Sequence, residues 1–170
     1  MSFLLRRTRN NRLLDIVVFM AIVMAILAVL RFLPEAEPVV VSGRASVIDG
    51  DSIVVRGVEI RLLGVDAPER DQMCTRNGAE WPCGTRASEN LRNQLHGKIV
   101  TCSGNERDVH DRLLAICKVH DSDLNRLLVR EGWAVSYGRY FDEERAAKKT
   151  RRGIWSGSFV QPRDWRDGNR

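Results

Sequence analysis

Acidic and basic side chains crowd two short segments of this 170-residue chain, at spacings that suit cation binding. The first is Val47-Ile48-Asp49-Gly50-Asp51-Ser52. In extended backbone Asp49 and Asp51 project to the same side, because strand side chains alternate. Two carboxylates facing together repel unless a cation or a proton lies between them. The second segment is Ile60-Arg61-Leu62-Leu63-Gly64-Val65-Asp66-Ala67-Pro68-Glu69-Arg70. Here Arg61 lies opposite the apolar face of its strand, and Asp66 and Glu69 follow at the strand's end. Pro68 fixes the turn and biases Ala67 toward extended geometry. Hard oxygens from Asp51 and Asp66, with a backbone carbonyl, are what Ca²⁺ selects, and water completes its roughly 6–8 ligands. Taken singly, each motif has a plainer reading. Asp-Gly and Asp-x-Pro turns are common loop chemistry, and Arg61 can pair with Glu59 or Glu69 on a wet face for little gain. Only the set, in this order, points to a site.

Short strands must position these groups. Arg44 to Ile48 and Ser52 to Val55 are β-branched runs separated by Asp49-Gly50, a turn signal. Arg56-Gly57 marks a second turn, and Val58, Ile60 and Leu62 alternate onto one face of a third strand. A loop from Gly64 to Gly84 leads to a helix over 86–95, closed by Gly97. Lys98 to Cys102 and Leu113 to Val119 predict two further strands. Asp121-Ser122-Asp123 offers N-caps to a helix carrying Leu124, Leu127 and Leu128, and 141–152 predicts a last, highly charged helix. Trp133 and Trp155 are expected in the core. The pattern predicts an α+β, mainly β domain: a five-stranded Greek-key barrel of the OB type with three helices.

Before this domain lies a different texture. Leu13 to Leu33 is almost wholly apolar, and Ile16 to Leu30 carries no charge. Arg6, Arg7, Arg9 and Arg12 precede it, the order expected when the N-terminus stays in the cytoplasm and the remainder is exported. The expected layout is a cytoplasmic basic segment 1–12, a transmembrane signal-anchor helix 13–33, a linker 34–41, the folded domain 42–157 and a tail 158–170. A cleaved signal peptide is the second reading, disfavoured by the lack of a clean small-x-small site. The expected location is the inner (cell) membrane, single-pass, with the domain periplasmic or extracellular.

Four cysteines agree with export. Cys74, Cys83, Cys102 and Cys117 lack the close C-x(2–4)-C pairs of structural zinc sites, so two disulfides are expected. Of three connectivities, the sequential one is favoured: Cys74–Cys83 across a loop and Cys102–Cys117 between strands. Composition (44% hydrophobic, 29% charged) excludes a disordered, collagenous or many-pass membrane protein. The net charge of +5 is weak support for a polyanion partner, because residues 1–35 hold 5 Arg against 2 acids. The basic cluster Lys148, Lys149, Arg151 and Arg152 reads first as an ordinary solvated helix face.

The two acidic segments, followed by Asp108-Val109-His110-Asp111-Arg112 and by Gly153-Ile154-Trp155 after a basic helix, resemble the thermonuclease (staphylococcal nuclease-like) family. The likeness spans about Val39 to Trp155. It implies an OB-fold barrel and Ca²⁺-dependent hydrolysis of DNA or RNA phosphodiesters. By that resemblance Asp51 and Asp66 are the calcium carboxylates, the Ala67 carbonyl is a further ligand, and Asp49 stands behind them. Glu69 is the general base or orients the attacking water, and Arg61 and Arg112 grip the scissile phosphate. His110, Tyr137 and Tyr140 lie near positions where the family holds the nucleotide. Ala67 stands where many relatives carry Thr, and Val109-His110 where members often carry Lys-Tyr. The expectation is an exported, membrane-anchored, Ca²⁺-dependent nuclease, a monomer whose partners are nucleic acid and the membrane. The rival is a non-catalytic OB module binding nucleic acid or protein at the envelope, which has no need of these acids.

Overall fold

The structure, a computed structural model, describes residues 9–32 and 37–168. Residues 1–8, 33–36 and 169–170 lie outside the described residues. With them go most of the basic segment 1–12, Leu33 of the expected anchor and part of the linker 34–41. The chain divides into two units, Met1–Ala36 and Glu37–Arg170.

In the first unit, α1 covers Arg9–Leu30. The expected transmembrane helix over 13–33 is corrected here. The helix begins inside the charged segment, so Arg9, Arg12 and Asp15 fall within its opening turns. Its uncharged stretch, Ile16 to Leu30, then spans only about 22 Å at 1.5 Å per residue, against a hydrocarbon thickness of about 30 Å. Among the described residues no helix is long and apolar enough to cross a membrane.

The second unit is mainly sheet, with helices packed around it. Its strands are β1 (Val39–Gly43), β2 (Ala45–Val47), β3 (Ser52–Val55), β4 (Val58–Leu62), β5 (Val65–Asp66), β6 (Cys74–Arg76) and β7 (Ala79–Trp81). After α2 (Cys83–Leu95) come β8 (Val100–Arg107), β9 (Leu113–Val119), β10 (Ser122–Asp123) and α3 (Leu124–Arg130). Then follow β11 (Val135–Ser136), α4 (Phe141–Lys149), a 3₁₀ turn at Gly153–Ser156 and α5 (Pro162–Gly168). The main sheet runs β1-β8-β9-β4-β3-β2, with β10 added to β9. It curls into a half-barrel. Neighbours are antiparallel except β4 and β9, which are parallel.

The observed counts exceed the predicted five strands and three helices, for identifiable reasons. Residues 39–41, read as the end of a linker, belong to a strand because their β-branched side chains pair with β8, Val41 facing Cys102. The stretch read as a tail contains α5, whose first residue, Pro162, is pre-set for helix and needs no N–H partner there. At β3–β4 the chain reverses in two residues, Arg56 and Gly57, both at positive φ, the backbone that a tight hairpin requires.

The main core fills the concave face of the sheet. Ile53, Ile60, Leu62 and Leu113 from the sheet meet Leu91 of α2 and Leu128 of α3, all essentially inaccessible to solvent. Trp133 packs half-buried against this core. A second, smaller cluster joins Cys74, Cys83, Val135 and Ile154, with Trp81, Trp155 and Phe159 packed against it. Both sequential disulfides are present, Cys74–Cys83 and Cys102–Cys117. The second links residues directly opposite each other on β8 and β9.

Candidate active site

Sheet register brings the distant segments together. β4 is central: Ser52 of β3 faces Arg61 on one side, and Ile60 pairs with Leu113 of β9 on the other. The Asp51 carbonyl accepts the Leu62 N–H at 2.9 Å. Thus Asp51, Arg61 and the residue before β9, Arg112, reach one end of the sheet because their strands are neighbours. Asp66 arrives on β5, which pairs with β11 through Asp66 and Val135.

Asp51 and Asp66 are each only 4% exposed. Arg61 Nη2 lies 3.1 Å from Asp51 Oδ2 and 2.9 Å from Asp66 Oδ1, so both carboxylates converge on one cation. Asp51 Oδ2 also accepts the Ala67 N–H at 3.1 Å, and its Oδ1 accepts the Ser52 hydroxyl at 3.0 Å. Asp49 accepts the Asp51 N–H at 3.0 Å and so shapes the loop that presents Asp51. Gly50 allows that loop its approach: a Cβ there would lie 2.6 Å from the Ala67 Cβ. Burial pushes the Asp51 carboxyl up to about 7, against the attraction of Arg61, with repulsion from Asp49 and Asp66 adding to the rise. A buried carboxylate in this condition favours a proton or a further cation.

Among the described residues no three His, Cys, Asp or Glu side chains form a metal-holding group. The converging oxygens are those of two carboxylates, Asp51 and Asp66, while Ala67 contributes its N–H to Asp51. Such a set is hard oxygen and would leave most positions of a divalent ion to water, which suits a hard cation such as Ca²⁺ or Mg²⁺ over a softer, fully protein-ligated metal.

Glu69 is held from behind by Gln72, a fully buried polar residue. Gln72 Oε1 accepts the Glu69 N–H at 3.2 Å, and its Nε2 donates to the Val160 carbonyl at 2.6 Å. Gly84 opens α2 directly beneath; a Cβ there would collide with the Glu69 carbonyl oxygen. The Glu69 carboxylate receives Arg166 of α5: Nη1 donates to Oε1 at 2.8 Å. Nη2 of the same guanidinium reaches Asp66 at 2.9 and 3.1 Å. Burial alone would lower the Arg166 pKa; these carboxylate contacts raise it above its ordinary value.

Arg112 is aimed by Asp108. Its Nε and Nη2 donate to Asp108 Oδ2 at 2.8 and 2.7 Å, while Oδ1 accepts the Arg112 and His110 N–H groups. Its Nη1 comes within 3.5 Å of the Ser52 hydroxyl, the group bonded to Asp51. A small burial penalty raises the Asp108 carboxyl, and the hydrogen bonds from Arg112 and the loop outweigh it, holding it below the usual range.

With this arrangement established, comparison with known proteins is decisive. The profile described as staphylococcal nuclease homologue matches residues 59–157, more than half of the chain. The chain belongs to this family. It is 37% identical over 128 residues to the "Succinoglycan biosynthesis protein ExoI" of Rhizobium meliloti (strain 1021), covering 71% of this chain and 66% of that protein. It is 31% identical over 132 residues to an "Uncharacterized endonuclease" of Escherichia coli O157:H7, covering 71% and 80%. A "Probable staphylococcal-like nuclease CAN1" of Oryza sativa subsp. japonica is 26% identical over 128 residues, covering 71% of this chain and 36% of that protein.

The staphylococcal nuclease homologue segment contains Arg61, Asp66, Glu69 and Arg112. Asp49 and Asp51 precede it, and α5 follows it. Of the three residues expected to hold nucleotide, Tyr137 lies nearest: it lines, with Arg61, Asp66, Arg163, Arg166 and Asp167, a cavity of about 510 Å³. Tyr140 lines a different depression, and its hydroxyl donates to Asp123 at 3.1 Å. Burial and the Asp123 charge push that phenol up to about 12. His110 stands exposed at the β8–β9 turn beside Val109, which is 95% exposed. Three contributors escaped the sequence reading. Asp108 was visible as an Asp before a turn, four residues ahead of Arg112. Gln72 and Arg166 carried no local signal, since their partners lie far along the chain.

Proposed function

We propose that the folded domain is a Ca²⁺-dependent nuclease hydrolysing phosphodiester bonds of DNA, RNA or both. The observation that carries this reading is the convergence of Asp51 and Asp66 on one cation, with Glu69 beside them. Asp51, Asp66 and the Ala67 carbonyl would hold Ca²⁺, which supplies positive charge against the anionic phosphate when bound. Attack on phosphorus builds negative charge on the non-bridging oxygens, and Arg61 and Arg112 would bind them through the N–H groups not already given to Asp51, Asp66 and Asp108. Arg112 comes to this task already oriented by Asp108, which lowers the ordering cost at the moment of reaction. Glu69, fixed at its backbone by Gln72, accepts the proton of the attacking water. The printed names of the relatives, endonuclease among them, support the same reaction class. A non-catalytic module would have no use for a buried carboxylate pair with a third acid adjoining.

The reading extends to location. All four cysteines are paired, which favours an oxidising compartment, and the basic-then-apolar order of residues 1–33 favours export of the domain. The deciding test is cleavage of labelled single- and double-stranded DNA and RNA across a Ca²⁺ titration. Cutting that rises with Ca²⁺ and disappears in Glu69→Gln is the expected result. Absence of cutting on all four substrates at saturating Ca²⁺ refutes it. Cell fractionation with mass measurement of the mature chain tests export.

A further inference from the structure

We propose that the C-terminal arm is an intramolecular competitor of the metal, with Arg166 as the resident cation that a divalent ion must displace. The proposal rests on the reading of Asp66 as a metal ligand and of Glu69 as the base. Arg166 bridges those two residues, with Nη1 on Glu69 Oε1 at 2.8 Å and Nη2 on Asp66 Oδ1 at 2.9 Å and Oδ2 at 3.1 Å. Asp66 Oδ1 already receives Arg61 as well. Both oxygens of the ligand carboxylate therefore face guanidinium N–H groups. A dication and a guanidinium repel each other and need the same lone pairs, so full coordination by Asp66 and the docked position of Arg166 exclude one another. The contact on Glu69 occupies one of its two carboxylate oxygens and offsets the negative charge that would draw a proton from water.

The arm is built to be displaceable. From Gly157 onward its fastenings include the Thr75–Ser158 backbone pair at 2.8 and 2.9 Å, the Gln72–Val160 bond, Phe159 against the second core cluster and the buried Pro162. Thr75 lies on β6 beside the Cys74–Cys83 disulfide, Ser158 and Val160 precede α5, and Pro162 is its first residue. α5 has seven residues, too short to be stable once its contacts are lost. Arg163 and Asp164 are exposed, while Trp165 and Arg166 are half-buried. None of the paired strands of the main sheet includes a residue of α5, so undocking of α5 would leave that sheet paired. Charge follows the same logic. Asp51, Asp66 and Glu69 face Arg61 and Arg166 in the structure; arrival of Ca²⁺ makes one guanidinium surplus, and the one on the short terminal helix is free to leave.

Coupling between two sites is reciprocal, and typical values correspond to about 5–150-fold in affinity. Removing Arg166 should therefore tighten Ca²⁺ binding, and Ca²⁺ should loosen α5 by the same factor. The test is calorimetric Ca²⁺ titration of the full chain and of Arg166→Ala and Arg166→Gln, with amide hydrogen exchange of residues 163–168 with and without Ca²⁺. About tenfold tighter binding in both variants, wild-type-like binding in Arg166→Lys, and faster exchange of α5 on Ca²⁺ addition are expected. Equal or weaker binding in Arg166→Ala and Arg166→Gln overturns the proposal, as does α5 exchange unchanged by saturating Ca²⁺. A loss of cleavage at saturating Ca²⁺ with unchanged affinity also overturns it, and assigns Arg166 to phosphate binding. If neither wild type nor variants bind Ca²⁺, the metal reading fails together with the competitor; if all bind alike, only the competitor fails.

Discussion

Two acid–arginine pairs sit within one end of the sheet and are tuned in opposite directions. Asp51 is 4% exposed, with Arg61 at 3.1 Å on one oxygen, and burial still lifts its carboxyl to about 7. Asp108 lies at the edge of the fold, where Arg112 and two backbone N–H groups hold its carboxyl below the usual range. Both have an arginine partner, so the partner does not decide the outcome. What differs is water and neighbouring charge: Asp51 is cut off from solvent and shares its space with Asp49 and Asp66, while Asp108 has no such rivals among its named contacts. The first pair is hydrogen-bonded yet crowded by like charge, so a proton or a further cation would relieve it; the second is a bracket that aims a side chain.

The largest test of this contrast replaces the acid between them in sequence. Glu69→Gln should lower kcat by roughly 10³-fold, the range that loss of a general base produces, while Ca²⁺ affinity stays within a few-fold. Retained turnover would move the base elsewhere. Asp51→Asn comes next. It should weaken Ca²⁺ by more than the ~10–100-fold that loss of an outer partner of a ligand costs. The same change should stabilise the metal-free protein at neutral pH and above. A carboxyl raised from 3.8 to about 7 on folding contributes stability that is complete below pH 3.8 and is lost as pH rises through 7. The metal-free melting midpoint should therefore carry a downward slope between about pH 4 and pH 7 that Asp51→Asn removes. An unchanged slope would break the contrast.

Asp108→Asn should act on orientation alone. Cleavage is expected to fall about 10- to 100-fold because Arg112 loses its bracket, with Ca²⁺ affinity unchanged by titration. A drop in metal affinity of the same size would show that the two pairs are one network. For Asp108 the pH sign is reversed: its contribution to stability is present above the ordinary carboxyl value and is lost only as pH falls through the lowered one. The smallest effect is expected at a third acid, Asp123, which holds the Tyr140 hydroxyl. Tyr140→Phe should cost about 1 kcal/mol in urea unfolding and leave kcat/KM nearly unchanged, whereas Tyr137→Ala, at the cavity, should raise KM.

Much of this was legible in the sequence because the information is local. The Asp49-Gly50-Asp51 turn, the Arg61 to Glu69 spacing, the hairpin at Arg56-Gly57 and the alternation of Val58, Ile60 and Leu62 are all set within a few residues by backbone sterics and side-chain period. The sequential disulfides were the favoured of three pairings, and the β8–β9 register sets Cys102 opposite Cys117. Less legible was β1, since Val39 to Val41 follows a proline-rich stretch and becomes a strand only by pairing with β8, about sixty residues away. The apolar N-terminal run showed its composition but not where its helix begins; the start at Arg9 places charges inside α1 and shortens its uncharged length.

Residue types and spacing thus pointed to two carboxylates suited to a hard cation, and the family resemblance added the proposed third acid and two arginines. Their energies were decided by the fold. Whether Asp51 is strained or at ease depends on how completely Gly50 and Ala67 close over it. Whether Arg112 points inward depends on Asp108, and whether Glu69 is free depends on Arg166, ninety-seven positions away. Chemistry at a position is a property of the side chain, but burial, opposing charge and occupancy are pairwise quantities, and pairs that far apart exist only once the chain has folded.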